Sequence, residues 1–334
     1  MRKTVCALLA AVMLLAASAS AAAEKILTWN EVNGEEYGAS VGAHAFAEKL
    51  KEVSGGEMEI DLYVGAALGT EQESMQGIQM GTLDIFRGNA ASLPEYGAEL
   101  IGTTGLPFLF GSMEEFHDFA ESGLGRQVLD SVGEAGCGFR AIGWMVEGPR
   151  SLFITEDTWK ELGSPAKFSL EDLQGLVIRP GNDLIAETLR AFGAETVQVP
   201  FAELNTSLEA GNLNGAENGI TNYLDNGFYQ TAPCFIPDTH LFGCGVILVS
   251  QSTWDGLSEQ EREWMRTAAR AGGEACYAYN LEHERDCEKR LKEMNLTMLE
   301  VADPEKWQEV CESLYGQQSP EIRELAEKIR RKEY

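Results

Sequence analysis

The chain has 334 residues, with 26 Lys and Arg against 53 Asp and Glu and a formal net charge of −27. That length supports two domains with separate cores, and that acidity argues against nucleic acid and anionic lipid surfaces, which need basic patches. Long-range repulsion of anions is largely screened beyond roughly 8 Å at physiological salt, so an anion site here must be local and built from arginine.

Residues 1–23 read as a secretory signal peptide. Arg2 and Lys3 form the charged start, Ala7 to Ala17 is an apolar run too short to span a bilayer, and Ala19-Ser20-Ala21 or Ala21-Ala22-Ala23 offers small-residue cleavage sites. Cys6 precedes the apolar run, so no lipoprotein-type cysteine stands at the cleavage point. Without Arg2 and Lys3 the balance is 24 basic against 53 acidic, a net charge of −29. No later apolar run approaches a membrane span, so no direct membrane insertion is expected. Cys137, Cys234, Cys244, Cys276, Cys287 and Cys311 remain, none in a CxxC pair. An even count in an exported chain permits disulfides, but spacing does not reveal pairing, and buried thiols with room for one bridge are expected.

In chain order, Ile26 to Trp29 reads as an opening strand, followed by a Gly-rich turn that contains Tyr37. A helix with Phe46, Leu50 and Val53 on one face stops at Gly55-Gly56, and Met58 to Val64 alternates as a strand. Thr70 with Glu73 makes a capping box for a helix to Met80, and Leu83 to Phe86 is the next strand. The polar loop Arg87 to Ser92 leaves that strand's carboxyl end, Leu106 to Phe110 reads as core, and a helix around Glu114 to Ser122 precedes a strand near Phe139 to Met145. Leu176 to Arg179 is a short strand stopped by Pro180. Asn182 caps a helix bearing Leu184, Ile185, Leu189 and Phe192, and Gly193 closes it. A strand at Thr196 to Val199, a short helix with Leu204 and Leu208, and Gly211 follow. Tyr223, Phe228 and Tyr229 lie on a helix-like stretch, and Phe235 to His240 leads into a strand at Gly245 to Ser250.

Ser258 and Glu261 form a second capping box, opening a helical pattern that runs without proline to about Met294. That is roughly 36 residues, or about 54 Å of helix, too long for one compact domain; Gly272-Gly273 is a candidate bend. Leu296 to Val301 reads as a strand, and Asp303-Pro304 and Ser319-Pro320 each start a helix. Strand–helix alternation of this kind implies an α/β fold with a mostly parallel sheet, and ligands of such sheets bind outside the carboxyl ends of the strands. Arg179 stands at such an end, where a planar guanidinium can hold a carboxylate through two parallel hydrogen bonds.

The ordered set GLVIRP, GA, VPFAE and LxxGxxxGxEN around Arg179 and Asn218 resembles the signature region of the DctP family, periplasmic solute-binding proteins of tripartite ATP-independent periplasmic (TRAP) transporters. The likeness extends to AEKLKEVSGGEMEIDLYVGAALGTEQE, to LPFLF at Leu106 to Phe110, to GPR ending at Arg150, and to FYQ followed by His240. The resemblance implies a type II-like, two-lobed periplasmic binding protein with mostly parallel sheets flanked by helices and a long bridging helix. Its lobes would be 24–147 with 244–283, and 148–243 with 284–334. It places the ligand's carboxylate on Arg179, Arg150 and Asn218, gives Phe201 the role of an aromatic wall, and turns the loop of Arg87 and Asn89 toward the ligand's far end. Glu217 is expected to be a structural acceptor. Trp144, Tyr37 and Tyr223 suit a ring-bearing or sugar-like ligand, or equally lobe packing. Asn214 and Gly219 depart from the acidic residue and proline usual in the family, which puts loop stiffness in question.

The implied ligand is a small organic anion, a carboxylate or a sulfonate. The implied partners are the small and large integral-membrane subunits of a TRAP transporter, with the protein a periplasmic monomer. An ABC-type or sensor-coupled binding protein is the alternative. There is no HExxH and no phosphate-binding glycine loop. His44, His117, His240 and His283 are scattered, and His283 has no second histidine four residues on. No catalytic residue, cofactor or metal is expected, and an exported hydrolase using paired carboxylates is the remaining enzyme reading.

Overall fold

The computed structural model describes residues 25–294 and 296–334; the signal-peptide reading lies outside the described residues. Strand β1 (Lys25–Asn30) pairs in parallel with β2 (Met58–Tyr63) on one side and β3 (Ile85–Asn89) on the other. The helix Glu71–Met80 carries the predicted Thr70–Glu73 capping box and ends on Gly81 at φ 73°. Two long strands then dominate, β4 (Phe139–Ile154) and β9 (Cys234–Ser250), antiparallel to each other from end to end. Beyond β4 lie β8 (Gly215–Gly219), β6 (Val177–Arg179) and β7 (Glu195–Thr196). Strand β10 (Thr297–Met298) adds to β9, while β11 (Glu300–Val301) pairs with β5 (Lys167–Phe168) in a separate ribbon.

The sheet order is β2-β1-β3-β9-β4-β8-β6-β7. The fold is α/β as expected, but the sheet is mixed: its outer pairs are parallel and β3–β9, β9–β4 and β4–β8 are antiparallel. Strand β4 runs past its expected end near Met145, through Gly148 and Pro149. Both are absorbed where the register shifts, with Gly148 at φ 120° and Pro149 opposite Phe242. A wider irregularity sets Ser151 alone against residues 237–240, so that Pro237, Asp238, Thr239 and His240 leave the ladder between Ile236 and Leu241.

Period-two alternation along these strands builds four apolar clusters. Val246 and Leu248 point into one cluster with Phe86, Phe116 and Trp144; Ile247 and Val249 point into another with Trp29, Phe46 and Met265. At the other end Leu152, Ile154 and Ile236 join Leu189, Phe192 and Trp307, whereas Phe153 and Phe235 join Tyr223 and Phe228. Each end of the shared sheet is thus covered on both faces, as a two-lobed fold requires.

The helix Glu259–Glu293 runs unbroken for 35 residues from its Ser258–Glu261 capping box. It buries Met265, Ala268 and Cys276 in the first half and Cys287 and Leu291 in the second. Gly272 and Gly273 do not interrupt it. A Cβ on Gly272 would lie 2.8 Å from the Gly42 carbonyl, and one on Gly273 2.5 Å from that of Trp144, so both glycines admit neighbouring backbone. The last helix, Pro320–Arg330, buries Ile322, Leu325 and Ile329 in the first half's cluster, although the expected division kept 284–334 with the second. All six cysteines among the described residues are free thiols.

Candidate functional site

Arg179, the last residue of β6, is buried at 8 % exposure. Its Nε donates to the Val199 carbonyl at 3.0 Å, and among the described residues it has no carboxylate at ion-pair distance. Burial presses its pKa down; Glu217 offsets that and Arg150 adds to it. An arginine nonetheless stays charged, so a desolvated cation is left without an ion-pair partner among the described residues.

Arg150, on β4, has the opposite fate. Its Nε and one terminal nitrogen donate to the two oxygens of Glu217 on β8 at 2.7 and 2.9 Å, a planar fork on a fully buried carboxylate. The bulged segment of β9 brings His240 to the same carboxylate, Nε2 to Oε2 at 3.5 Å, and Asp238 holds the other ring nitrogen at 2.7 Å. Burial alone would raise the Glu217 carboxyl, but Arg150 and His240 reverse this and hold it well below the usual range. Burial likewise opposes charge on His240, yet Asp238 and Glu217 outweigh it and push its pKa up to about 9. A Cβ at Gly181 would sit 2.8 Å from Arg150 and 2.9 Å from Glu217, so glycine after Pro180 lets the loop lie directly on the ion pair.

Asn218 turns its Oδ1 to the Gly219 N–H at 2.8 Å and to Asn222 Nδ2 at 3.1 Å. Gly219 has φ −66° and needs no left-handed freedom; a proline there would lose the N–H that holds Asn218. The other departure, Asn214, stiffens its loop: Oδ1 accepts from Val177 N at 2.9 Å and Nδ2 donates to Thr158 at 3.0 Å.

The facing side comes from the first half. Arg87 on β3 is buried between two carboxylates, 3.6 Å from Glu31 and 3.1 Å from Glu147. Burial works against its charge, and Glu147 and Glu31 more than restore it. Arg87 Nε, Glu31 Oε2 and Glu147 Oε1 are buried without a hydrogen bond of good geometry, and such groups are rarely left unmet in a folded protein. The Tyr37 phenol is driven up chiefly by burial and next by Glu147, with Arg87 and Arg150 opposing, which places it between the two sides. Asn222 Nδ2 donates to its oxygen at 3.3 Å, joining the halves across the cleft.

Asn89 spends its side-chain oxygen on Ala91 N at 3.0 Å as the cap of the turn Ala90–Tyr96. Two cavities meet beside it: one of about 420 Å³ lined by Glu71, Glu95 and Tyr96, and a gap of about 10 Å³ that reaches Arg150 and Asn182.

Three expected residues lie elsewhere. Trp144 is in the first half's core, its indole donating to Gly125 O at 3.2 Å and packing on Phe116 and Phe119. Tyr223 is fully buried, its hydroxyl on Ala232 O at 2.9 Å and its ring against Phe153 and Phe235. Phe201 is 43 % exposed and meets Phe228 edge-on, so it does not wall an enclosed pocket here. Sequence reading missed Glu31, Glu147, Asp238 and Asn222. A lone Glu147 in the apolar run AIGWMVEGP and the polar Asp238-Thr239-His240 inside a long apolar strand were the available signals.

Residues 30–321 match the family described as bacterial extracellular solute-binding protein, family 7 (DctP), and the chain belongs to that family. A solute-binding protein of Chromohalobacter salexigens is 24 % identical over 327 residues, 97 % of this chain and 94 % of that one. Among solved structures, a TRAP periplasmic solute binding protein of Chromohalobacter salexigens with bound D-glucuronate superposes with a TM-score of 0.81 at 24 % identity, covering 91 % of this chain and 99 % of the other. One from Xanthobacter autotrophicus with bound β-D-galacturonate gives 0.82 at 21 % identity over 91 % and 99 %.

Proposed function

We propose that this DctP-family protein captures a small hydroxylated carboxylate, of the sugar-acid type, in the cleft between its two halves. In this reading it acts as an exported periplasmic monomer and passes the ligand to the small and large membrane subunits of a TRAP transporter. The observation that carries the reading is Arg179, a buried guanidinium with no carboxylate at ion-pair distance among the described residues. Leaving such a charge unpaired is costly, and an incoming carboxylate removes the cost. Arg179 supplies the anchoring fork, Arg150 adds positive potential while bound to Glu217, and Asn218 completes the shell.

The opposite side favours donors. Glu31 and Glu147 present buried acceptor oxygens that a ligand hydroxyl would satisfy, whereas a second carboxylate there would meet like charge. Bound glucuronate and galacturonate in the similar structures accord with such a ligand. The lobes would divide at Glu147–Gly148 and Gly243–Cys244 within β4 and β9 and along the long helix, with the last helix returning to the first lobe, and a ligand touching both sides would favour closure.

A thermal-shift screen of the mature protein against uronates, aldonates, C4-dicarboxylates, sulfonates and neutral hexoses tests this. A ligand at 100 times its dissociation constant adds about 2.7 kcal/mol, several degrees of melting temperature. Uronates or aldonates should give the largest shift. Response to neutral hexoses alone, or to nothing in the panel, would overturn the arginine-anchored reading.

A further inference from the structure

Away from the cleft residues, the long helix meets the short helix Ile220–Asp225 at a point where three kinds of metal donor converge. His283 and Cys287 are four residues apart and therefore share one face of the helix, a turn apart. Asp225, at the end of the short helix, brings Oδ2 to 2.9 Å from His283 Nε2. The donor atoms of Asp225, His283 and Cys287 all lie within 4.8 Å of one another. Tetrahedral zinc, with bonds of about 2.0–2.3 Å, sets its donors roughly 3.3–3.8 Å apart, so small rotamer changes suffice to close the shell.

We propose that Asp225, His283 and Cys287 form a site for a divalent transition-metal ion of the zinc type, with a fourth position open to water. Thiolate and imidazole together select a borderline-soft ion over magnesium or calcium. The negative charges of the thiolate and of Asp225 neutralise the ion. Arg290, 3.4 Å from the other Asp225 oxygen, keeps that carboxylate oriented, and Asp286 adds negative potential beside the sulfur. Burial pushes the Cys287 thiol up to about 11; binding exchanges that proton for the metal, which leaves a metal–sulfur bond and one proton released to solvent.

Position gives the site a consequence. The short helix also carries Asn222, which bonds both Asn218 and Tyr37, while the long helix packs against both halves of the molecule. A metal on Asp225, His283 and Cys287 therefore ties the helix that follows the Asn218 strand to the bridging helix.

The test uses the mature protein, purified reduced and stripped with chelator, then titrated with cobalt(II) and back-titrated with zinc. A single equivalent should give a thiolate-to-cobalt charge-transfer absorption that zinc abolishes. Cys287→Ser should remove the band while Cys311→Ser, a buried thiol elsewhere, leaves it. Asp225→Asn alters an exposed side chain and should weaken zinc at least about ten-fold without changing the metal-free circular dichroism; His283→Gln should do the same. Absence of the band, a band that survives Cys287→Ser, or uptake of several equivalents indifferent to Asp225→Asn would each overturn the site.

Discussion

The two walls of the cleft use buried arginine in contrary ways. On the first-half wall Arg87 is outnumbered by Glu31 and Glu147, a formal excess of one negative charge. On the second-half wall Arg150 and Arg179 face Glu217 alone, since His240 and Asp238 cancel each other, a formal excess of one positive charge. Within the second wall the contrast repeats at finer grain, because Arg150 is part of a closed ion-pair network and Arg179 is not. An ionised side chain with its partner already in place serves the fold; one without a partner is stabilised by whatever enters the cleft. Sequence type does not separate the two, since both are strand arginines beside proline.

Removing Arg150 should test the structural side hardest. Arg150→Ala leaves Glu217 fully buried with His240 as its one remaining partner at ion-pair distance among the described residues, and breaking a buried pair costs about 3–5 kcal/mol. The melting temperature should fall by roughly 10 °C; an unchanged value would show that the pair is not structural. Arg179→Met should behave oppositely. The ligand-free protein should melt at the same temperature or higher, while affinity for the carboxylate identified by the screen drops by about 2–4 kcal/mol, roughly 30- to 1,000-fold, in calorimetry. Loss of fold with retained affinity would exchange the roles of the two arginines.

Titration sharpens the same contrast. His240 has a folded-state pKa of about 9, above its ordinary 6.5. Its contribution is complete below about pH 6.5, stands at on the order of 2–3 kcal/mol at neutral pH, and disappears as pH rises through about 9. Glu217 runs the other way: depressed below 4.5, it contributes above that pH and its share is lost on acidification. Urea unfolding at pH 7 and pH 10 should therefore show a decline that His240→Asn lacks; parallel profiles would remove His240 from the network. The smallest effect belongs to Tyr37→Phe. It deletes the 3.3 Å contact with Asn222 that spans the cleft, about 0.5–1.5 kcal/mol, and should weaken the ligand only a few-fold. A loss as large as that of Arg179→Met would mean that Tyr37 touches the ligand itself.

Much of the local architecture was legible because it depends on near neighbours in the chain. Both capping boxes, the Asn182 cap bonding Ile185 N at 2.9 Å, and a helix of 35 residues follow from short-range hydrogen bonding and 3.6-residue periodicity. So does Arg179 at its strand end, where Pro180 stops the ladder. The tertiary structure decided what those rules do not reach. Gly148 and Pro149 are breakers until a long partner strand absorbs them in a bulge. Gly272 has no evident reason to be glycine until the Gly42 carbonyl is seen to pack directly on it. Trp144 and Tyr223 suit a ring-binding cleft until their polar tips find carbonyls inside the core. Which arginine is left without an ion-pair partner was likewise undecidable from the chain alone. The answer depends on Glu217 standing 67 residues beyond Arg150 in sequence and 2.7 Å from it in space, because the energy of a buried charge is set by whatever the fold brings beside it.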